Sequence, residues 1–149
     1  DFSANKKLLL LKNRGYYKSL IRNVDKYFKG GYKEVEGTSF SLKDLSKELR
    51  NEYREIPYKD KHERDKFLIR SNLASLKKYN DIEKYRFVLT YRTNGEFVSN
   101  DGTSWNMQAA CPQYLIYDRK KDEIYYAGRT SSAYNKILKY YILELNKYL

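Results

Sequence analysis

The chain has 149 residues, with 30 Lys+Arg against 19 Asp+Glu and a formal net charge of +11. One cysteine, Cys111, and one histidine, His62, exclude an intrachain disulfide and a structural zinc site. The longest strictly aliphatic run, Leu8–Leu11, is far short of a membrane span or a signal-peptide core. An intracellular, mostly ordered single domain over 1–149 is therefore expected, with no membrane association. Tyrosine occurs 17 times, so the core must use phenol rings whose hydroxyls need partners.

In chain order, residues 3–29 read as helical, with Ser3 as a cap and Gly15 dividing the stretch into segments near 4–13 and 16–29. Gly30-Gly31 ends it, and Tyr32–Glu36 reads as a short strand. Ser41-Leu42-Lys43-Asp44 has the pattern of a helix start, and Leu42, Leu45, Leu49 and Tyr53 form one face before Pro57 stops the helix. Residues 60–79 read as a long helix with Phe67, Ile69, Leu73, Leu76 and Tyr79 on its apolar side. The period then changes to two across Tyr85–Arg92. Asn94-Gly95 predicts a hairpin returning through Phe97-Val98, and Asn100-Asp101-Gly102 a further turn. Gln113–Asp118 and Glu123–Ala127 predict a second hairpin around Arg119–Asp122. A last helix capped by Ser131 or Ser132 carries Ile137, Leu138, Tyr141 and Leu145 on one face.

These elements predict an α+β fold: N-terminal helices, an antiparallel β-meander of about four strands and a C-terminal helix. Over residues 16–99 the order helix, short strand, helix, helix, hairpin resembles a winged helix-turn-helix domain. That resemblance implies DNA-type recognition with Arg70, Lys77 and Lys78 on or near the recognition helix.

The net charge points to a polyanionic partner. The hairpin Tyr114, Tyr117, Arg119, Lys120, Lys121, Tyr125, Tyr126 and Arg129 interleaves aromatic rings with bases, a pattern suited to stacking on unpaired bases while cations hold phosphates. The competing expectation is that these tyrosines are ordinary strand residues. A second basic face runs from Lys43 to Lys78, with Glu48, Glu52, Glu55, Glu63 and Asp65 set among its bases and able to pair with them. A third is the stretch Lys6, Lys7, Lys12, Arg14, Lys18 and Arg22, read as an amphipathic basic helix.

Catalytic signals are poor. Asp118, Asp122 and Glu123 sit close together but beside three bases, so local pairing is expected. Leu115-Ile116-Tyr117 with Tyr125-Tyr126-Ala127-Gly128 resembles the paired-tyrosine hairpin of GIY-YIG nucleases. The first glycine is missing, however, and Glu144 is the sole later carboxylate. Cys111 reads as a small buried thiol, His62 as a surface residue and Trp105 as a core or anchor residue. The expectation is a non-enzymatic nucleic-acid-binding protein without cofactor or metal, with RNA or a nucleoprotein favoured. The alternative is an interaction protein or inhibitor, of a kind a phage or mobile element would encode, that docks its basic surface on an acidic groove of a nucleic-acid-binding enzyme.

Overall fold

Leu8–Leu11 decide the architecture. Lys7–Leu11 form a strand, β1, and all four leucines are completely buried. Leu8 and Leu10 pack with helices α1 (Tyr17–Tyr27) and α4 (Tyr134–Leu145). Leu9 and Leu11 pack on the opposite side with α3 (Lys61–Ala74). The helix expected near 4–13 is thus a strand covered on both faces, the setting in which parallel strands read as unbroken apolar runs. The structure is a computed structural model that describes residues 6–13, 15, 17–35, 40–93, 96–106, 112–127 and 134–148, with the side chains of 134–137 left out.

Strand β2 (Gly31–Val35) pairs parallel to β1 on one side, and β3 (Phe87–Arg92) pairs parallel on the other. Strands β6 (Gln113–Asp118) and β7 (Glu123–Tyr126) extend the sheet antiparallel, giving the order β2-β1-β3-β6-β7. The fold is therefore mixed α+β in three layers. The expectation of N-terminal helices before an antiparallel meander is wrong, because a strand comes first and the sheet's centre is parallel.

The second correction concerns Phe97-Val98. It lies in β4 (Glu96–Val98), which pairs with β5 (Ser104–Asn106) as a separate ribbon, not back along β3. β6 pairs with every residue of β3 on one edge and β1 with Val88 and Leu89 on the other, so no full-length edge remains for a returning strand. Asn94-Gly95 itself lies outside the described residues. The Asn100–Gly102 turn forms as expected, with Gly102 in the left-handed region at φ 95°.

Two side-chain amides fasten this ribbon to the main sheet. Buried Gln113 accepts from the Val98 amide at 2.9 Å and donates to the Val98 and Ala127 carbonyls at 2.7 and 3.0 Å. Asn100 accepts from the Tyr126 amide at 2.8 Å and donates to its carbonyl at 3.1 Å. Each amide imitates a strand partner and satisfies backbone groups that would otherwise be unpaired.

The second helix, α2 (Lys47–Glu55), begins later than the Ser41 pattern implied. Ser46 is the cap, accepting from the Leu49 amide, while Ser41 only closes a turn with Lys43. This leaves Phe40–Leu42 as a wall segment instead of a helix. Helix α3 stops at Ala74 and a short 3-10 turn, Lys77–Tyr79, follows, so the expected helix over 60–79 is interrupted. Helix α1, strand β2 and helices α2 and α3 follow in the winged-helix order, but no β3–β4 hairpin completes it, and α1 lies on one face of the sheet with α2 and α3 on the other. Parallel crossovers separate these helices, so they do not pack as one bundle.

Candidate functional site

The chain leaves β1 and returns to β2 through α1 on one face, then reaches β3 through α2 and α3 on the other. In such sheets the point where connections diverge opens a crevice beyond the carboxyl ends of the strands. Here that point lies between β1 and β3, and a cavity of about 370 Å³ opens there. Asn13, just past β1, and Arg92 and Thr93, at the end of β3, form its floor. Phe40 and Leu42, with Tyr53 from α2 and Leu68 from α3, supply an aromatic and aliphatic wall. Ser41 and Asp65 complete the polar side.

The β1–α1 loop that carries Asn13 is pinned from below. The Tyr91 hydroxyl donates to the Asn13 carbonyl at 2.6 Å and also bonds the Gly15 carbonyl, and Asn13 Nδ2 donates to the Tyr91 carbonyl at 3.0 Å. Burial pushes the Tyr91 phenol up to about 12, so it stays a donor at neutral pH. Gly15 takes φ 63°, a backbone state that costs glycine little.

The site's electrostatic centre is a buried network. The Arg92 guanidinium pairs with Asp65 and, at 2.8 Å, with Glu96, which also receives Lys61 at 3.2 Å. The Tyr126 hydroxyl donates to Asp65 Oδ2 at 2.5 Å. Lys61, Asp65 and Arg92 are only 5%, 3% and 6% exposed. Burial pushes the Asp65 carboxyl above the usual carboxylate range, against the pull of Arg92 and Tyr126. Arg92 Nε is buried and has no hydrogen-bond partner, a polar demand left unmet at the cavity wall.

A second, smaller chamber of about 160 Å³ adjoins the first, sharing Tyr53, Asp65 and Arg92. Tyr58, Lys61, Arg64, Glu96 and Asn106 complete its walls. Lys61 Nζ sits 3.2 Å from the Tyr58 ring centre, and Arg64 lies over both Tyr53 and Tyr58.

Of the described side chains singled out in the sequence for binding, Arg64 of the Lys43–Lys78 face lines the smaller chamber and Tyr126 serves the crevice from beneath; the others lie outside it. Tyr117 and Tyr126 are 2% and 1% exposed, so neither ring face can stack on a base. Tyr117 instead donates to Asp122 at 2.5 Å. Arg119 is spent as a brace, donating to the Tyr79 and Tyr85 carbonyls at 2.7 and 3.0 Å. Arg70 pairs with Asp122 at 2.9 Å, and Lys120 with Glu83 at 3.1 Å. Lys77, Lys78 and Lys121 are exposed. Arg129 and Cys111 lie outside the described residues. His62 is half-buried, its Nε2 2.9 Å from the Ser99 carbonyl and its ring against Tyr126. Trp105 is partly exposed and stacks on Phe97.

Asp118, Asp122 and Glu123 do not converge on a metal position, and no metal-binding cluster occurs among the described residues. Asp118 is buried and held by Arg86 through two bonds of 2.9 and 2.8 Å, with the Lys120 and Lys121 amides adding to them. Burial alone would raise its carboxyl; these donors outweigh burial and hold it below the usual range. A depressed folded value stabilises the fold above the unfolded value of about 4 and loses that contribution as pH falls through the folded value. Asp118→Asn is therefore expected to cost about 2 kcal/mol at pH 7. It should also flatten the fall of the urea midpoint between neutral pH and the acid range. An unchanged acid limb would show that Asp118 is not responsible for it.

A further row of exposed cations lies on the α1–α4 layer. On α1, Lys18, Arg22 and Lys26 recur every fourth residue, about 6 Å apart along the axis, and Lys29 follows the helix end. All are exposed, and none makes an ion pair among the described residues. Lys139 of the neighbouring α4 is also exposed and lies 5.0 Å from the Tyr27 ring centre, as Lys26 does at 5.2 Å. Asp25 is the sole acid of α1 and is engaged by the Tyr32 hydroxyl. Tyr140 on α4 is 70% exposed. The expected basic helix spanning Lys6 to Arg22 does not exist as one element, since Lys7 belongs to β1 and Lys18 and Arg22 to α1.

The fold and the crevice thus define a three-layer α/β/α protein with a polar pocket at a strand switch point and a separate cationic helical layer. No protein-family model, curated protein or solved structure matches the chain. Among the described residues, no helix is long and apolar enough to cross a membrane.

Proposed function

We propose that this protein binds nucleic acid through the α1–α4 layer, with single-stranded segments favoured over a specific duplex site. The observation that carries the reading is the row Lys18, Arg22, Lys26 and Lys29, joined by Lys139, exposed and without ion-pair partners among the described residues. On the opposite layer Lys61, Lys66 and Arg70 are held by Glu96, Glu63 and Asp122, while Lys43, Lys47, Arg54, Lys77 and Lys78 are also exposed and make no ion pair among the described residues; there, however, Glu48, Glu52 and Glu55 stand among the bases of α2, whereas Asp25 is the one acid of α1. A net charge of +11 adds long-range attraction for phosphates. The exposed Tyr140 ring of α4 supplies a stacking surface on the same layer.

The test is fluorescence anisotropy with labelled single-stranded RNA, single-stranded DNA and duplex DNA across a salt series. Replacing Lys18, Arg22 and Lys26 together by Glu should weaken single-strand binding at least about tenfold and reduce the salt slope by about 2, since each single-strand phosphate contact contributes about 0.7. Lys120→Ala with Lys121→Ala should leave affinity unchanged within about twofold, because these residues lie at the β6–β7 turn, away from the row. Equal loss from both variants would mean that net charge alone governs binding. No binding at physiological salt would favour the alternative, an inhibitor that sets its cationic layer on an acidic protein groove.

A further inference from the structure

We propose that the two-chamber crevice at the carboxyl ends of β1 and β3 binds a mononucleotide, either free or as an unstacked unit of a strand. The larger chamber is of ligand size. Its lining is of two kinds, as a heterocyclic base requires: Phe40, Leu42, Tyr53 and Leu68 offer apolar surface, while Asn13, Ser41, Asp65 and Thr93 offer hydrogen-bonding groups. Arg92 and Tyr126 both bond Asp65 through Oδ2. Among the described residues Oδ1 takes no hydrogen bond, which leaves it as an acceptor for the amino group of a base such as adenine. The smaller chamber adds Lys61 and Arg64 beside Arg92; Lys61 and Arg92 are paired with Glu96 and Asp65, and Arg64, whose Nε and Nη2 donate to the Ile56 carbonyl at 3.1 and 3.0 Å, is the cation there that makes no ion pair among the described residues. That places positive charge where a phosphate attached to the base would lie. The buried and unpartnered Arg92 Nε marks the junction as a place where polarity remains to be met. The site also stands where ligands collect in sheets of this connectivity.

This site is on the opposite face of the sheet from the α1–α4 layer and does not depend on the reading given for that layer. The probes are AMP, adenosine and ribose 5-phosphate, followed by amide chemical shifts and by calorimetry. AMP should perturb the amides of Asn13, Ser41, Leu42, Arg92 and Thr93. Adenosine should bind the same site about tenfold more weakly for want of a phosphate. Ribose 5-phosphate should bind still more weakly for want of a base. Ser41→Phe, which fills the larger chamber, should abolish the AMP effect while keeping a native circular dichroism spectrum. The AMP perturbation map of the unaltered protein stands as the independent readout if that variant folds poorly. Hexaadenylate separates the sources: tighter binding than AMP at these amides indicates a unit within a strand, and weaker binding indicates the free nucleotide. The Lys18, Arg22 and Lys26 charge-reversal variant should keep its response to AMP, so either site can fail without the other. The proposal is overturned if AMP leaves these amides unmoved at millimolar concentration, or if ribose 5-phosphate binds as well as AMP.

Discussion

Asp65→Ala is expected to lower the unfolding free energy by about 3–5 kcal/mol, read as a shift of the urea midpoint. The loss would not measure the strength of the Arg92–Asp65 pair. It would come mostly from leaving the guanidinium of a residue that is 6% exposed with Glu96 as its one remaining carboxylate among the described residues, and from orphaning the Tyr126 hydroxyl. Replacing both partners, Asp65→Leu with Arg92→Met, should cost clearly less than the sum of the single changes, because no buried charge is then stranded. Asp65→Asn should be the mildest, since its amide oxygen still accepts from Tyr126 and Arg92. The pH dependence has the sign opposite to that of Asp118. Burial raises the folded value of Asp65, so its contribution is greatest below the unfolded value near 4 and is lost as pH rises through the raised folded value. Additive single and double effects would show that the three groups do not form one network.

The second large effect concerns β1. Leu8→Ala, Leu9→Ala, Leu10→Ala and Leu11→Ala should each cost about 2–5 kcal/mol, because each side chain is completely buried, alternately against the α1–α4 layer and against α3. In a surface helix four consecutive positions sweep most of a turn, so at least one substitution would be nearly neutral. Leu143→Ala on the partly exposed side of α4 is the reference, with an expected cost within about 0.5 kcal/mol. A neutral result at any of the four β1 positions would contradict a strand covered on both faces.

How legible the fold was depended on how local the determining interactions are. The β6–β7 hairpin was readable because its turn and its two strands adjoin in sequence, and it pairs in the Asp118↔Glu123 register that the turn implies. Helix α1 and the Asn100–Gly102 turn were readable for the same reason. Leu8–Leu11 were not, because four leucines fit a helix and a buried strand equally well. What separates the two is β3, some eighty residues away, which completes the sheet beside them. The Asn94-Gly95 signal was local and strong, yet β4 pairs elsewhere because distant partners, β6 along the whole strand and β1 at Val88 and Leu89, left no full-length edge of β3.

The crevice was still less legible. Asp65 lay in what read as a mixed-charge first turn, although it precedes Leu68 and Ile69 by three and four residues and so shares the buried face of α3 with Asn72 and Leu73. An acid at that spacing on an apolar stripe was the available signal. Arg92 offered none, since alternation along β3 suggested an exposed cation, and the strand is in fact buried throughout. The tyrosines of β6 and β7 were noticed for their rings, but Tyr126 matters through its hydroxyl, which reaches Asp65 across 61 positions of sequence.

By itself the sequence determined a net charge that no fold can remove, together with the local hairpin and the amphipathic helices, whose signals lie within a few residues. Only the tertiary structure decided which cations are free, because pairing with Asp118, Asp122, Glu96 or a backbone carbonyl is settled by contacts between remote elements. The same holds for the crevice. Its residues come from the ends of β1 and β3 and from α2 and α3, and a spacing rule cannot see an assembly made by parallel crossovers.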